Sequence, residues 1–399
     1  MEPTQRPPAG QVSRLEQVRR RRRRSRVRRI VLLALLAVVL LIWLIGTFGT
    51  GFALTRDLME SARIGLSGGG GFPVRTGIDE VLRAEPLAGG FVELGKNDLV
   101  VYSAAGRQVN SIQHGYSRPA LTMGDRRFCL YNRAGTEARV ESRTQTLHTF
   151  SFEQPILLCS MAPGGSLAVV TRSERHTAEL TLYDPAMKPG YTWKLSNNEG
   201  TPVQTEFGPR RGSIAVGCMR VEDGRAGTAI YWLDTKRAEV QAESLFAPDS
   251  LLLQMHWLSG RTLLAIYDTH AAVYSAKDGT ELFRFDYADR TLLAADVSGK
   301  NTALLLADSL GGMDPQLVML DHELNVLGET PVQPGAYDVV CTRTAAYSVA
   351  EDLVQCLTLT GEEKWRQPMT EKPQALLSTK KLLIFTGQEA RELEPPRRG

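Results

Sequence analysis

Leu180-Thr-Leu-Tyr-Asp184 followed by Tyr191-Thr-Trp-Lys-Leu195 reads as two short strands joined by a tight turn, since β-prone residues are bounded by turn formers. The pairing recurs down the chain. Ala271-Ala-Val-Tyr-Ser275 turns at Lys277-Asp278-Gly279 into Leu282-Phe-Arg-Phe285. Leu317-Val-Met-Leu-Asp321 turns into Val326-Leu-Gly-Glu329, and Gln355-Cys-Leu-Thr-Leu359 turns at Gly361 into Lys364-Trp-Arg366. Ile230-Tyr-Trp-Leu-Asp234 belongs to the same set. The residues ahead of the turns, Tyr183, Leu233, Tyr274, Leu320 and Leu359, are spaced by 50, 41, 46 and 39 residues. That is the period of a four-stranded propeller blade of about 40–50 residues.

Two further strands precede each hairpin. Val203-Gln-Thr-Glu-Phe207 and Ser213-Ile-Ala-Val-Gly217 are one such pair, Leu251-Leu-Leu-Gln-Met255 and Thr262-Leu-Leu-Ala-Ile266 another. Apolar second strands fit a blade packed on both faces. Six blades can be laid out between Ser117 and Lys372. The ends, Leu87–Gly115 and Pro373–Glu394, carry incomplete sets of strands. If they share one sheet the ring closes with seven blades, and if each forms its own blade there are eight. The expected fold is all-β: a propeller of about seven, alternatively eight, four-stranded blades over residues 87–395, preceded by one N-terminal transmembrane helix.

That helix is expected over residues 30–54. Ile30 to Leu54 contains no charged residue, and about 20 apolar residues suffice to cross a bilayer. Arg19, Arg20, Arg21, Arg22, Arg23, Arg24, Arg26, Arg28 and Arg29 stand directly before it. By the positive-inside rule they place residues 1–29 in the cytoplasm and everything beyond the span outside. A cleaved signal peptide has a shorter apolar region and a small-residue cleavage site, so an uncleaved signal-anchor is the preferred reading. Beside a span, a basic run is a topology signal that also touches anionic lipid, rather than a nucleic-acid patch. Residues 55–86, with Ser67-Gly-Gly-Gly-Gly71, read as a flexible linker.

The formal charge of +3 hides a split. Residues 1–29 carry 11 Arg against Glu2 and Glu16, a net of +9, which leaves −6 for the remainder. The outer part therefore has no broad electrostatic case for binding nucleic acid. Cys129, Cys159, Cys218, Cys341 and Cys356 sit in apolar strand-like runs without a CxxC, and read as small buried hydrophobes. His114, His148, His176, His256, His270 and His322 are scattered, with no spacing that suits a metal. No nucleophile elbow, P-loop or dinucleotide fingerprint appears, and no cofactor is expected. The Ser275–Thr280 stretch is explained by an Asp-Gly hairpin turn, and Trp193 and Trp365 by aromatic packing between blades.

Candidate recognition residues lie in the long polar loops between second and third strands. These are Arg172, Glu174, Arg175 and His176; Arg220, Glu222, Asp223 and Arg225; and Asp308 with Asp314. Propeller topology puts these loops on one rim, and loops on a rigid scaffold are where recognition concentrates.

Several pieces resemble an uncharacterised family of single-span, membrane-anchored, propeller-like proteins of unknown function from Gram-positive anaerobic bacteria. They are Gly71-Phe-Pro-Val74, His114-Gly-Tyr-Ser-Arg-Pro119, Gly164-Gly-Ser-Leu-Ala-Val-Val-Thr171, and Leu180-Thr-Leu-Tyr-Asp184 with Trp193. The resemblance covers residues 30 to about 390 and implies no catalytic residues. The expected function is a membrane-tethered extracytoplasmic scaffold that binds a protein at its loop face, without catalysis. One alternative is an envelope glycan-active enzyme using acids such as Asp268, Asp296 or Asp338 near the axis. Another is a sensor signalling through the basic tail.

Overall fold

The computed structural model describes residues 31–37, 68–308 and 314–395. Residues 31–37 are helical and belong to a separate unit, 1–56. Among the described residues no helix is long and apolar enough to cross a membrane. The rest of the expected span, the arginines from Arg19 to Arg29, and linker residues 55–67 lie outside the described residues.

From Val74 onward the chain forms eight antiparallel sheets. Blades 2 to 7 follow the expected layout, running over residues 119–151, 156–195, 201–243, 252–286, 290–331 and 338–368. The ends decide the count. Val81–Leu87, Gly90–Gly95, Asp98–Ser103 and Gln108–Gln113 make a complete blade 1. Pro373–Ser378, Leu382–Thr386 and Glu389–Glu392 make blade 8, and Val74–Arg75 supplies its fourth strand. Val74 pairs with Ala390 and Arg75 with Glu389. The propeller thus has eight blades, not seven, and its termini still share one sheet. Closure uses two residues inside the stretch expected to be linker, and all of Val81–Leu87 but Leu87 lies there too. A two-residue strand among Gly and Pro shows no alternation, and Arg83, Glu85 and Pro86 break up the apolar residues of Val81–Leu87.

Position within a blade sets the burial of a strand. Second and third strands are mostly apolar and buried because neighbouring blades cover both faces. Thr302 to Ala307 and Leu317 to Leu320 are buried without a break. Fourth strands lie outermost and are largely exposed, alternating in Val326–Pro331 and Glu363–Pro368. First strands surround the axis and hydrogen-bond from blade to blade. Gln204 Nε2 donates to the Leu253 carbonyl at 2.6 Å, and Gln254 Nε2 to the Ala295 carbonyl at 3.2 Å. The Cys341 amide donates to the Asp296 carboxylate at 2.6 Å, and the Val81 amide to Gln374 Oε1 at 2.7 Å.

Apolar clusters fill the seams between blades. One joins Leu180 and Leu195 of blade 3 to Ile214, Val216 and Tyr231 of blade 4. Trp193 meets Tyr231 edge-on at 5.5 Å, and Trp365 packs at the blade 7–8 seam beside Ile384. Gly279, in the Asp-Gly turn of blade 5, adopts φ +74°, and a Cβ there would lie 2.1 Å from the Glu243 carbonyl oxygen. Only glycine satisfies both demands.

Candidate functional site: the loop rim

Each strand reverses direction, so the blades share two rims. Turns between first and second and between third and fourth strands lie on one, here the turn rim. Loops between second and third strands, and the connections to the next blade, lie on the other, the loop rim. All three candidate loop sets fall on the loop rim, as expected, but they form no single cluster. The third set belongs to blade 6, away from the adjacent blades 3 and 4. Asp308 and Asp314 flank residues 309–313, which lie outside the described residues.

Arg172, Glu174, Arg175 and His176 line a pocket of about 390 Å³ between blades 2 and 3, with Phe152, Glu153 and Gln154 on its far wall. Gln154 Nε2 donates to Glu174 Oε1 at 3.1 Å. Ser173 Oγ donates to Glu179 Oε1 at 2.9 Å, tying the loop to the third strand of its blade.

The blade 4 set is built differently. Ser213–Glu222 and Arg225–Asp234 are ten residues each, longer than any other strands of the ring. They project as a β-arm closed by Asp223 and Gly224, both at positive φ (50° and 77°). Two positive-φ residues give the turn whose twist matches that of the strands. Ala247–Pro248 adds a short strand along the arm, pairing with Gly227 and Thr228. Arg220 is its internal fastener. Its guanidinium reaches Glu222 at 2.8 Å and Glu243 at 2.8 Å, hydrogen-bonds the Tyr231 hydroxyl, and lies 5.5 Å from the centre of the Phe246 ring. Arg225 is paired with Asp249. Arg220 is thereby committed to holding the arm in shape, whereas Arg225 and Asp249 form an exposed surface pair.

The arm offers apolar surface instead. Val221 is 70% exposed and Leu245, on the adjoining connection, 86%. Met219 and Leu251 are also exposed. Sequence reasoning weighted the charged residues and passed over these. The signal was present in the unusual length of the 213–234 hairpin and in Met219 and Val221, which alternate with polar neighbours on a strand too long for the ring.

The suspected axial acids separate. Asp296 and Asp338 stand on the first strands of blades 6 and 7. Burial pushes the Asp296 carboxyl up to about 6, with the charges of Asp338 and Glu85 adding to the rise. Asp338 is raised by burial as well. Asp268 sits in a loop-rim turn and accepts the Leu251 amide at 2.8 Å, so it does not join them. His256 and His270 are pushed down to about 4 by burial and are neutral at physiological pH. Among the described residues no group of His, Cys, Asp and Glu could hold a metal ion.

A family model, Family of unknown function (DUF5711), matches residues 75–394. The chain belongs to this family. The DUF5711 match spans the ring from the closing strand to the end of blade 8. No curated protein matches the chain. Among solved structures, the computationally designed Ika8 protein superposes with a TM-score of 0.60 at 11% identity, covering 80% of this chain and 99% of that one. BamB from Moraxella catarrhalis gives 0.55 at 14%, covering 82% and 98%. Sqt1 from Chaetomium thermophilum gives 0.58 at 10%, covering 80% and 98%. At these identities the likeness speaks for the propeller fold alone.

Proposed function

We propose that this DUF5711 chain is a membrane-tethered, extracytoplasmic propeller that holds a protein partner on its loop rim and performs no catalysis. The observation that carries the reading is the projecting arm of blade 4, with Val221 and Leu245 exposed on a support fastened by Arg220. Exposed apolar side chains on a rigid protrusion suit the core of a protein interface, which is apolar with a polar rim. The arginines from Arg19 to Arg29 and the apolar run 30–54 support the tether, with the N-terminus inside and the propeller outside. Propellers of this architecture include Sqt1, seen bound to the N-terminus of ribosomal protein L10.

A photocrosslinking amino acid at Val221 of the full-length chain, in cells, tests it. A discrete adduct is expected that disappears with Leu245→Glu and is absent when the crosslinker replaces Lys300 on the turn rim. Equal yields at both positions would overturn the reading.

A further inference from the structure

The turn rim is distinguished by a concentration of basic side chains. Between blades 4 and 5 it carries a groove of about 660 Å³, within the size of small-ligand sites. Arg210, Arg211, Lys236, Arg237, Arg261 and Lys277 line it, with Asp234 the acidic lining residue. Asp234 and Glu239 lie 3.7 Å and 3.5 Å from Arg237. Arg210, Arg211, Lys236, Arg261 and Lys277 are exposed and make no ion pair among the described residues. Four separate turns, two from each blade, converge to bring these cations together. Solvated charges of one sign repel, and turn chemistry does not require Arg or Lys at these positions.

The basic character extends along the rim. Turns between first and second strands carry exposed Lys300, Arg343 and Lys380 on blades 6, 7 and 8. Among the described residues Asp125 is the one acid on a first-to-second turn, whereas the third-to-fourth turns of the same rim also carry Asp184, Asp278, Asp321, Glu323 and Glu362. The loop rim carries Asp79, Glu80, Asp249, Asp268, Asp289 and Glu371 beside Lys96, Arg118, Arg172 and Arg175. The basic character is thus concentrated at the groove and along the first-to-second turns.

We infer that the groove between blades 4 and 5 binds phosphate-bearing anions. Arg210, Arg211 and Arg261 present planar forks that match phosphate oxygens, and Lys236 and Lys277 add point charges. The wall residue Trp257, whose indole donates to the Glu206 carbonyl at 3.3 Å, gives the groove an apolar side. The phosphate comes either from a lipid headgroup or from a soluble phosphate compound. The site lies on the opposite rim from the proposed protein interface and does not depend on it.

The test uses the full-length chain in neutral detergent micelles. Calorimetric titration with inorganic tripolyphosphate forms one arm, and titration with micelles of the same detergent doped with phosphatidylglycerol the other. Binding is expected in at least one arm. Binding to tripolyphosphate alone assigns a soluble source, and binding to doped micelles alone assigns a headgroup. Arg210→Ser with Arg211→Ser should weaken binding by about tenfold or more, since each removes a charge-assisted contact. Lys96→Ser with Arg118→Ser, two exposed loop-rim residues, changes net charge equally on the other rim and should leave it intact. Lys277→Ser, on an exposed turn, provides a second and smaller loss. No heat in either arm, or equal losses from the two double variants, would overturn the inference.

Discussion

The Thr76 hydroxyl donates to Oε1 of Glu93 at 3.1 Å, linking the segment just after the closing strand to the second strand of blade 1. Glu93 is fully buried, and its other carboxyl oxygen has no hydrogen-bond partner. Burial pushes its carboxyl up to about 7, against the smaller opposing effect of the Thr76 bond. The Thr76 amide meanwhile donates to the Gln388 carbonyl of blade 8 at 2.8 Å. Below about pH 7 the seam that shuts the ring therefore contains a protonated Glu93.

The pH dependence follows from proton linkage. A buried acid with a raised pKa holds its proton in the folded state where the unfolded chain has lost it. Its contribution is fully present below the unfolded value near 4.5 and is lost as pH rises through about 7. Glu206, also pushed up to about 7, and Asp296, at about 6, act in the same direction. Glu93 alone should lower stability by about 3 kcal/mol between pH 5 and 8, while His256 and His270, held at about 4, act in the opposite direction up to about pH 6.5. The readout is therefore the difference between wild type and Glu93→Gln, which should widen in favour of the variant as pH rises and leave it with the higher Tm at pH 8. A difference that does not change over that range would contradict this account.

Ala390 pairs with Val74 and is fully buried at the closure. Ala390→Asp places an unpaired charge there and should cost more than about 3 kcal/mol. Chemical denaturation should show a lower midpoint. A midpoint within error of the wild type would mean that the closing strand contributes little.

Removing the fastener should loosen the arm locally. Arg220→Ala leaves Glu222 and Glu243 without their common partner and should cost about 1–2 kcal/mol. Limited proteolysis should cut faster near Asp223-Gly224 while the rest of the ring resists. Unchanged cleavage would show that pairing with Ala247–Pro248 suffices.

All five cysteines are buried free thiols. Burial pushes the Cys341 thiol up to about 12 and also raises Cys159, Cys218 and Cys356. Thiolate is the reactive form, so an aromatic disulfide reagent should titrate almost no thiol in the native protein and five after denaturation. Rapid labelling of the folded chain would signal opening of the blades.

Gly279→Ala should disturb the blade 4–5 seam. The substituent meets the Glu243 carbonyl oxygen at 2.1 Å in a left-handed conformation, which costs about 2 kcal/mol or more. The lowered Tm should be accompanied by weaker anion binding at the adjoining groove.

Repetition made the ring legible. Tyr183, Leu233, Tyr274 and Leu320 occupy equivalent ends of third strands, because every blade solves the same packing problem; in blade 7 that place is taken by Leu357, and Leu359 falls in the turn beyond it. The closing strand was not legible: Val74-Arg75 is too short to show a period, and its role depends on Ala390, more than 300 residues away. In the candidate site, the rim was readable from topology but the roles were not. Arg220 and Arg225 look like free recognition residues until Glu243 and Asp249 arrive from elsewhere in the blade. The basic groove escaped notice because Arg210, Arg261 and Lys277 are ordinary turn residues singly and meet only in three dimensions.

Val74-Arg75 is the first strand of the ring to be made and Glu389–Glu392 the last, so blade 8 cannot be completed before residue 392 has been added. Until then the earliest strand has no partner and the edge of Leu382–Thr386 stands open. Ring closure therefore has a very large loop to close, which slows it. A ribosome stalled before residue 389 would hold an open arc whose exposed edges invite pairing with other chains.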